Sequence, residues 1–275
     1  MGNIQILTPD EHFFPYTREL VLNLEDRLKN PTEEEIERLS QLQRKGIGEI
    51  PGLSEAFANE GICNLTGFSY EPESGKTYLD LGLTTGVMAK ALQTVFKMPV
   101  AGQNPLLVQG MIRTIDDFIV LGVRSKPDSR PKEPNDFKAM FTPAGYVTAH
   151  GNPLEEAFYS ELAEETGLQK DDIICLKTLG HNRDIGFTYG TRITFLANTP
   201  LTFKQFQERW KNAPHSWEYA QLIGLKNDEP AIRNFLMGDI AQHSQLAEGL
   251  VESSVRPALT YYADNFKSLS KIQIH

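Results

Sequence analysis

The sequence predicts an α+β protein built on a mixed sheet, and three observations carry that reading. Strand-like and helix-like segments are interspersed without a strict strand–helix alternation, which suits an α+β or sandwich-like mixed sheet. Two hairpin patterns stand out: residues 64–69 and 77–84 alternate around the turn EPESGK, and residues 107–125 fold about Asp116-Asp117. The 275 residues show no internal repeat or low-complexity stretch, and they suffice for one large domain or two small ones.

Taken in order, residues 4–7 read as a short strand, and residues 16–29, YTRELVLNLEDRLK, carry apolar residues near helical spacing. Pro31 followed by Glu33, Glu34 and Glu35 is a helix start with acids in its first turn. The first hairpin follows, then a short helix over 87–96. Residues 1–100 are therefore read as an N-terminal accessory α/β region and residues 101–275 as the main domain, with no flexible linker between them. The second hairpin leads to a polar, proline-rich loop over 126–137. After an acidic helix over 153–166 come strands at 173–179 and 187–197 and a helix at 202–211. A strand at 217–225 and helices at 229–237 and 255–266 complete the chain.

The formal net charge of −9 argues against a nucleic-acid backbone as partner, because phosphate binding of that kind needs a basic surface. Two cysteines, Cys63 and Cys175, indicate neither a disulfide framework nor a thiolate cluster. No apolar run approaches the ~18 residues that span a bilayer, and no signal-peptide core is present. Met1-Gly2 is no myristoylation start, since Ile6 stands where Ser or Thr is required. A cytoplasmic setting is expected.

The chemistry concentrates in residues 145–168, GYVTAHGNPLEEAFYSELAEETGL. Glu161, Glu164 and Glu165 fall at i, i+3 and i+4, which on an α-helix gathers them along one face. Leu154, Ala157, Phe158, Leu162 and Leu168 would bury the opposite side, with Asn152 and Pro153 at the start and Gly167 at the stop. A solvated acidic face is the plain reading. Stacked like charges repel, however, and a hard divalent cation, Mg²⁺ or Mn²⁺, would offset that repulsion beside a phosphate.

This stretch resembles the Nudix hydrolase box, G(5x)E(7x)REUxEExGU with U a bulky aliphatic residue. Glu161, Leu162, Glu164, Glu165, Gly167 and Leu168 match it. The box glycine falls on Tyr146, with Gly145 beside it, the first glutamate on Asn152, and the arginine on Ser160. In the family that arginine orients a catalytic glutamate. The hairpin over 107–125 is similar to the one that precedes the box. Residues 78–84, Asn104-Pro105, the run Gly180-His-Asn-Arg-Asp184, His215-Ser-Trp-Glu218 and Arg256-Pro-Ala-Leu resemble the UDP-glucose/UDP-galactose pyrophosphatase branch.

The resemblance implies an α/β/α sandwich and Mg²⁺-dependent hydrolysis of a UDP-sugar, UDP-glucose or UDP-galactose, to UMP and a sugar 1-phosphate. It implies Glu161, Glu164 and Glu165 as metal ligands, a backbone oxygen near Gly145 as a further one, and Glu218 as ligand or general base. Arg124, at a strand end, suits a phosphate clamp, and Arg183 with Asn182, on a polar loop between strands, would reach diphosphate or sugar. Tyr189, Phe141 and Phe187 could stack on a base, against the plainer reading of strand aromatics as core, and His150 and His181 could touch phosphate, against the plainer reading of exposed histidines. Two rivals remain: a Nudix hydrolase for ADP-ribose or a dinucleotide, and a catalytically silent binding module, which Ser160 and Asn152 favour.

Overall fold

The protein is described from a computed structural model that places residues 13–15, 19–28, 61–86, 89, 103–125, 138–148, 153–183, 190–238, 251 and 254–272. In chain order the strands are β1 (Phe13–Pro15), β2 (Glu19–Leu28), β3 (Gly61–Glu71), β4 (Lys76–Thr85), β5 (Leu106–Arg113) and β6 (Phe118–Arg124). After them come β7 (Ala139–Phe141), β8 (Ala144–Tyr146), β9 (Cys175–Arg183), β10 (Thr191–Asn198) and β11 (Tyr219–Lys226). The helices are α1 (Pro153–Glu161), α2 (Phe203–Trp210), α3 (Glu229–Leu236), α4 (Val255–Asp264) and α5 (Phe266–Leu269). The expected segments at 4–7, 31–39 and 126–137, and most of the helix at 87–96, lie outside the described residues.

The main sheet runs β1-β9-β10-β5-β6-β11, with β7 on β6 and β8 on β5. It is mixed: β10 and β5 are parallel from Thr191↔Leu106 to Asn198↔Arg113, and the other pairs are antiparallel. Neighbouring residues on β5 show that both faces are covered. Gly110 lies under the Phe158 ring of α1, so close that a Cβ there would stand 2.8 Å from the ring. Gln109, pointing the other way, donates from Nε2 to Thr194 Oγ1 (2.9 Å) and to Ser254 O (3.3 Å) at the start of α4. The sheet is therefore sandwiched between α1 and α4, as period-2 alternation of side chains requires. The α+β expectation is met.

The second sheet, β2-β4-β3, contains the first expected hairpin, β3 and β4. Within the segment 16–29, read above as helical, the described residues 19–28 are a strand instead. They form β2, parallel to β4 with Leu22↔Leu79 and Leu24↔Leu81. Leu20, Leu22 and Leu24 alternate, and that period of two prevails once β4 offers a ladder to join. The small sheet is stitched to the main one: Cys63 N–H donates to Val147 O (2.7 Å) and Leu65 N–H to Asn104 O (2.9 Å). Cys63, Leu65, Leu79 and Leu81 join the main hydrophobic core. Burial pushes the Cys63 thiol up to about 11, which leaves it unreactive. Among the described residues no helix is long and apolar enough to cross a membrane.

Candidate active site

One end of the main sheet collects the candidate residues. Arg124, last in β6, pairs with Tyr219, first in β11. Leu107 and Val108 of β5 pair with Tyr146 and Gly145 of β8. Thr191 pairs with Leu106 on one side and with Arg183, last in β9, on the other. From β8 through β5 and β10 to β9 is three strand spacings, about 14 Å.

The acidic segment begins as expected and then changes helix type. α1 ends at Glu161, and Leu162–Thr166 continue as a π-helical turn that Gly167 closes at φ 72°. A π-turn holds more residues than an α-turn, so the i, i+3, i+4 stripe is split rather than stacked. Glu161 is half-buried with its carboxylate on Gly145. A Cβ on that glycine would fall 1.7 Å from Glu161 Oε1, so a larger residue there would have to displace the carboxylate. The structure thus brings together two of the expected site residues, with the glycine one position before its place in the box.

Glu165 turns inward and is 2% exposed. Three donors converge on its Oε2: Tyr219 Oη at 2.7 Å, Thr142 Oγ1 at 3.1 Å and Ala144 N–H at 3.2 Å. Burial, reinforced by the nearby Glu218 charge, raises its carboxyl to about 8 against the pull of those donors. Tyr219 is buried too. Burial and then the Glu165 charge push its phenol well above the ordinary value, so it stays a donor. Its ring covers Gly122, where a Cβ would come within 2.3 Å. Sequence reasoning missed Tyr219 and Thr142. Adjacency to Glu218 was the only signal for the first, and the second had none.

Glu164 faces outward, its side chain 44% exposed, between two partners. Ser160 Oγ donates to its Oε1 at 3.0 Å, and His215 Nδ1 stands 3.3 Å from its Oε2. His215 N–H also donates to Glu164 O at 2.8 Å. The same imidazole lies 4.0 Å from Glu218 Oε1 in a short 3₁₀ turn, Ser216–Glu218, before β11. The residue occupying the arginine's place thus still contacts a box glutamate, and a histidine supplies the second contact. His215 was overlooked as a contact residue, although its i, i+3 spacing to Glu218 is visible in the sequence.

The four carboxylates therefore form one connected locus. Glu161 covers Gly145, its neighbour Ala144 bonds Glu165, Glu165 feels Glu218, and Glu218 shares His215 with Glu164. This oxygen-rich set suits a hard divalent cation, and the Glu165–Glu218 repulsion is of the kind such an ion relieves. Among the described residues no three His, Cys, Asp or Glu side chains stand close enough to hold a metal ion as they are placed.

The remaining candidates divide. Arg124 is half-buried beside this locus. Asn182 and Arg183 are not on a loop. They end β9, which extends further than expected because β1 and β10 pair with it on both sides. Asn182 is 1% exposed, and among the described residues neither atom of its amide finds a hydrogen-bond partner. Arg183 is half-buried, and burial lowers its guanidinium from the ordinary value. His181 is fully buried between Phe14 and Phe68, and burial lowers it to about 3, so it is a neutral core histidine. Phe141 is also core. Tyr189, Phe187, His150 and Asn152 lie outside the described residues.

No protein-family model matches the chain, and no curated protein matches it significantly. Similar solved structures include a mutT/nudix family protein from Listeria innocua. It is 19% identical over 61% of this chain and 97% of its own, with a TM-score of 0.42. Another is a bifunctional NMN adenylyltransferase/ADP ribose pyrophosphatase from Francisella tularensis, 16% identical over 65% of this chain and 45% of its own, TM-score 0.39. A third, from Deinococcus radiodurans, is 15% identical over 57% of this chain and 81% of its own, TM-score 0.40. Likenesses this distant carry no functional weight.

Proposed function

We propose that the protein is a divalent-metal-dependent Nudix-type pyrophosphatase that hydrolyses the diphosphate of a UDP-sugar to UMP and a sugar 1-phosphate. The carrying observation is the chain of contacts that links Glu161 at Gly145, Glu165 at Ala144, and Glu218 and Glu164 through His215, at one end of the sheet. The uridine and the sugar rest on the sequence resemblance of residues 78–84, 180–184 and 215–218 to that branch.

Glu161, Glu164 and Glu165, with a backbone oxygen near Gly145, would hold the Mg²⁺ or Mn²⁺, which supplies charge neutralisation of the diphosphate and acidifies water. The residues of the chain do the positioning. Tyr219, Thr142 and Ala144 fix Oε2 of Glu165 and leave Oε1 clear of those donors. Ser160 and His215 fix both oxygens of Glu164. Glu218, its side chain 24% exposed, would accept a proton from the attacking water. Water's oxygen then bonds to one phosphorus in line with the bridging oxygen, whose bond breaks as the second phosphate leaves. Arg124 would clamp the diphosphate near this locus. Arg183, with Asn182, would meet the sugar end across the sheet.

The test is phosphate release from a panel of nucleotide sugars, coupled to a phosphatase, with and without Mg²⁺. UDP-glucose or UDP-galactose should lead the panel, and only with metal. Preference for ADP-ribose would retain the pyrophosphatase and remove the branch. A folded protein that hydrolyses nothing would overturn the enzyme reading in favour of a silent binding module.

A further inference from the structure

Trp217 is 60% exposed and lies in the Ser216–Glu218 turn, between two residues of the acidic locus. The other large hydrophobic side chains exposed among the described residues, Tyr70, Ile115, Ile174 and Met237, are outside that turn. The turn is held from both sides. Ser125 Oγ donates to Trp217 O, Ser125 N–H donates to Glu218 O at 2.7 Å, and His215 N–H donates to Glu164 O at 2.8 Å. The indole is thus carried on a pinned backbone, with its ring centroid 6.0 Å from that of His215, which itself touches Glu164. An indole left in water gives up the burial that normally stabilises it. On a pinned turn it offers a flat π-face that loses little conformational freedom when a ligand stacks on it.

We propose that Trp217 is the stacking platform for the nucleobase of the substrate. A base laid on the indole would stand next to His215, whose imidazole in turn contacts Glu164. This inference deepens the proposed function and rests on it for the identity of the base. Stacking accepts any base, because every base has a π-face, so the platform sets affinity for nucleotides over other phosphates, not the choice among bases.

Trp210→Phe leaves Trp217 as the sole tryptophan, since the chain has two. In that background, with Mg²⁺ present, UMP or AMP should quench the fluorescence saturably, while glucose 1-phosphate and ribose 5-phosphate should not. Quenching by the sugar phosphates equal to that by the nucleotides, or none by either nucleotide, overturns the inference. Trp217→Ala should raise KM for the best substrate roughly 5- to 100-fold with kcat nearly unchanged, and Trp217→Tyr should recover most of the loss. A fall in kcat at constant KM overturns the inference as well. Nucleotide quenching without turnover on any nucleotide sugar would sink the proposed reaction and leave the platform standing. Turnover without quenching would do the reverse.

Discussion

The acidic locus and the end of β9 sit at the same end of one sheet, yet they treat polar groups in opposite ways. At the locus the buried and outward carboxylates are held by donors: Glu165 accepts three on Oε2, and Glu164 has a partner on each oxygen. At β9 the amide of Asn182 is buried with no hydrogen bond among the described residues, and the Arg183 guanidinium is half-buried and lowered by that burial. The first arrangement is pre-organised, as catalysis requires. The second leaves desolvated groups that a polar ligand would satisfy, a cost in stability tolerated where function needs it.

If the locus is the catalytic half, its variants should dominate turnover. Glu161→Gln or Glu164→Gln should lower kcat by roughly 100- to 1000-fold with the fold retained, measured by phosphate release and circular dichroism. Gly145→Ala should follow, at roughly 10- to 100-fold, because its Cβ displaces the Glu161 carboxylate. Rates near wild type in these three variants would break the comparison.

Stability against pH sharpens it. Glu165 keeps its proton up to about pH 8 in the folded, metal-free protein, against an ordinary value of 4.5. Between those values the folded chain holds more protons than the unfolded one. Stability is therefore full below the lower value and is lost as pH rises through the upper one. The loss is on the order of a few kcal/mol. Melts in EDTA should show Tm falling across this window, and Glu165→Gln should flatten the fall. An equally steep profile in the variant would exclude Glu165 as its source.

The smallest effect belongs to β9. Arg183→Met should raise KM about 10-fold at constant kcat and leave Tm unchanged or slightly higher, since a desolvated cation is removed. A lower Tm with normal KM would make Arg183 structural.

Much of this was legible in the sequence because it depended on local rules. The hairpin at Asp116-Asp117 is present, with Asp117 at φ 61°. Thr202 and Gln205 form the capping box that opens α2, and Gly167 closes the acidic segment. What escaped depended on tertiary partners. Glu165 was expected on one helix face with Glu161 and Glu164, and the π-turn instead buried it under Tyr219 and Thr142, residues 54 and 23 positions away. Asn182 and Arg183 read as loop because nothing in their sequence reports that β1 and β10 extend the ladder through them. β2 read as helix until β4 supplied its neighbour.

The most direct test of the central claim, that these carboxylates form one cation-holding locus, is calorimetric titration of the metal-free protein with Mn²⁺. Wild type should bind saturably, and Glu161→Gln and Glu164→Gln should each weaken binding at least about 10-fold while remaining folded. Binding equally tight in both variants and wild type would place the metal elsewhere and contradict the account.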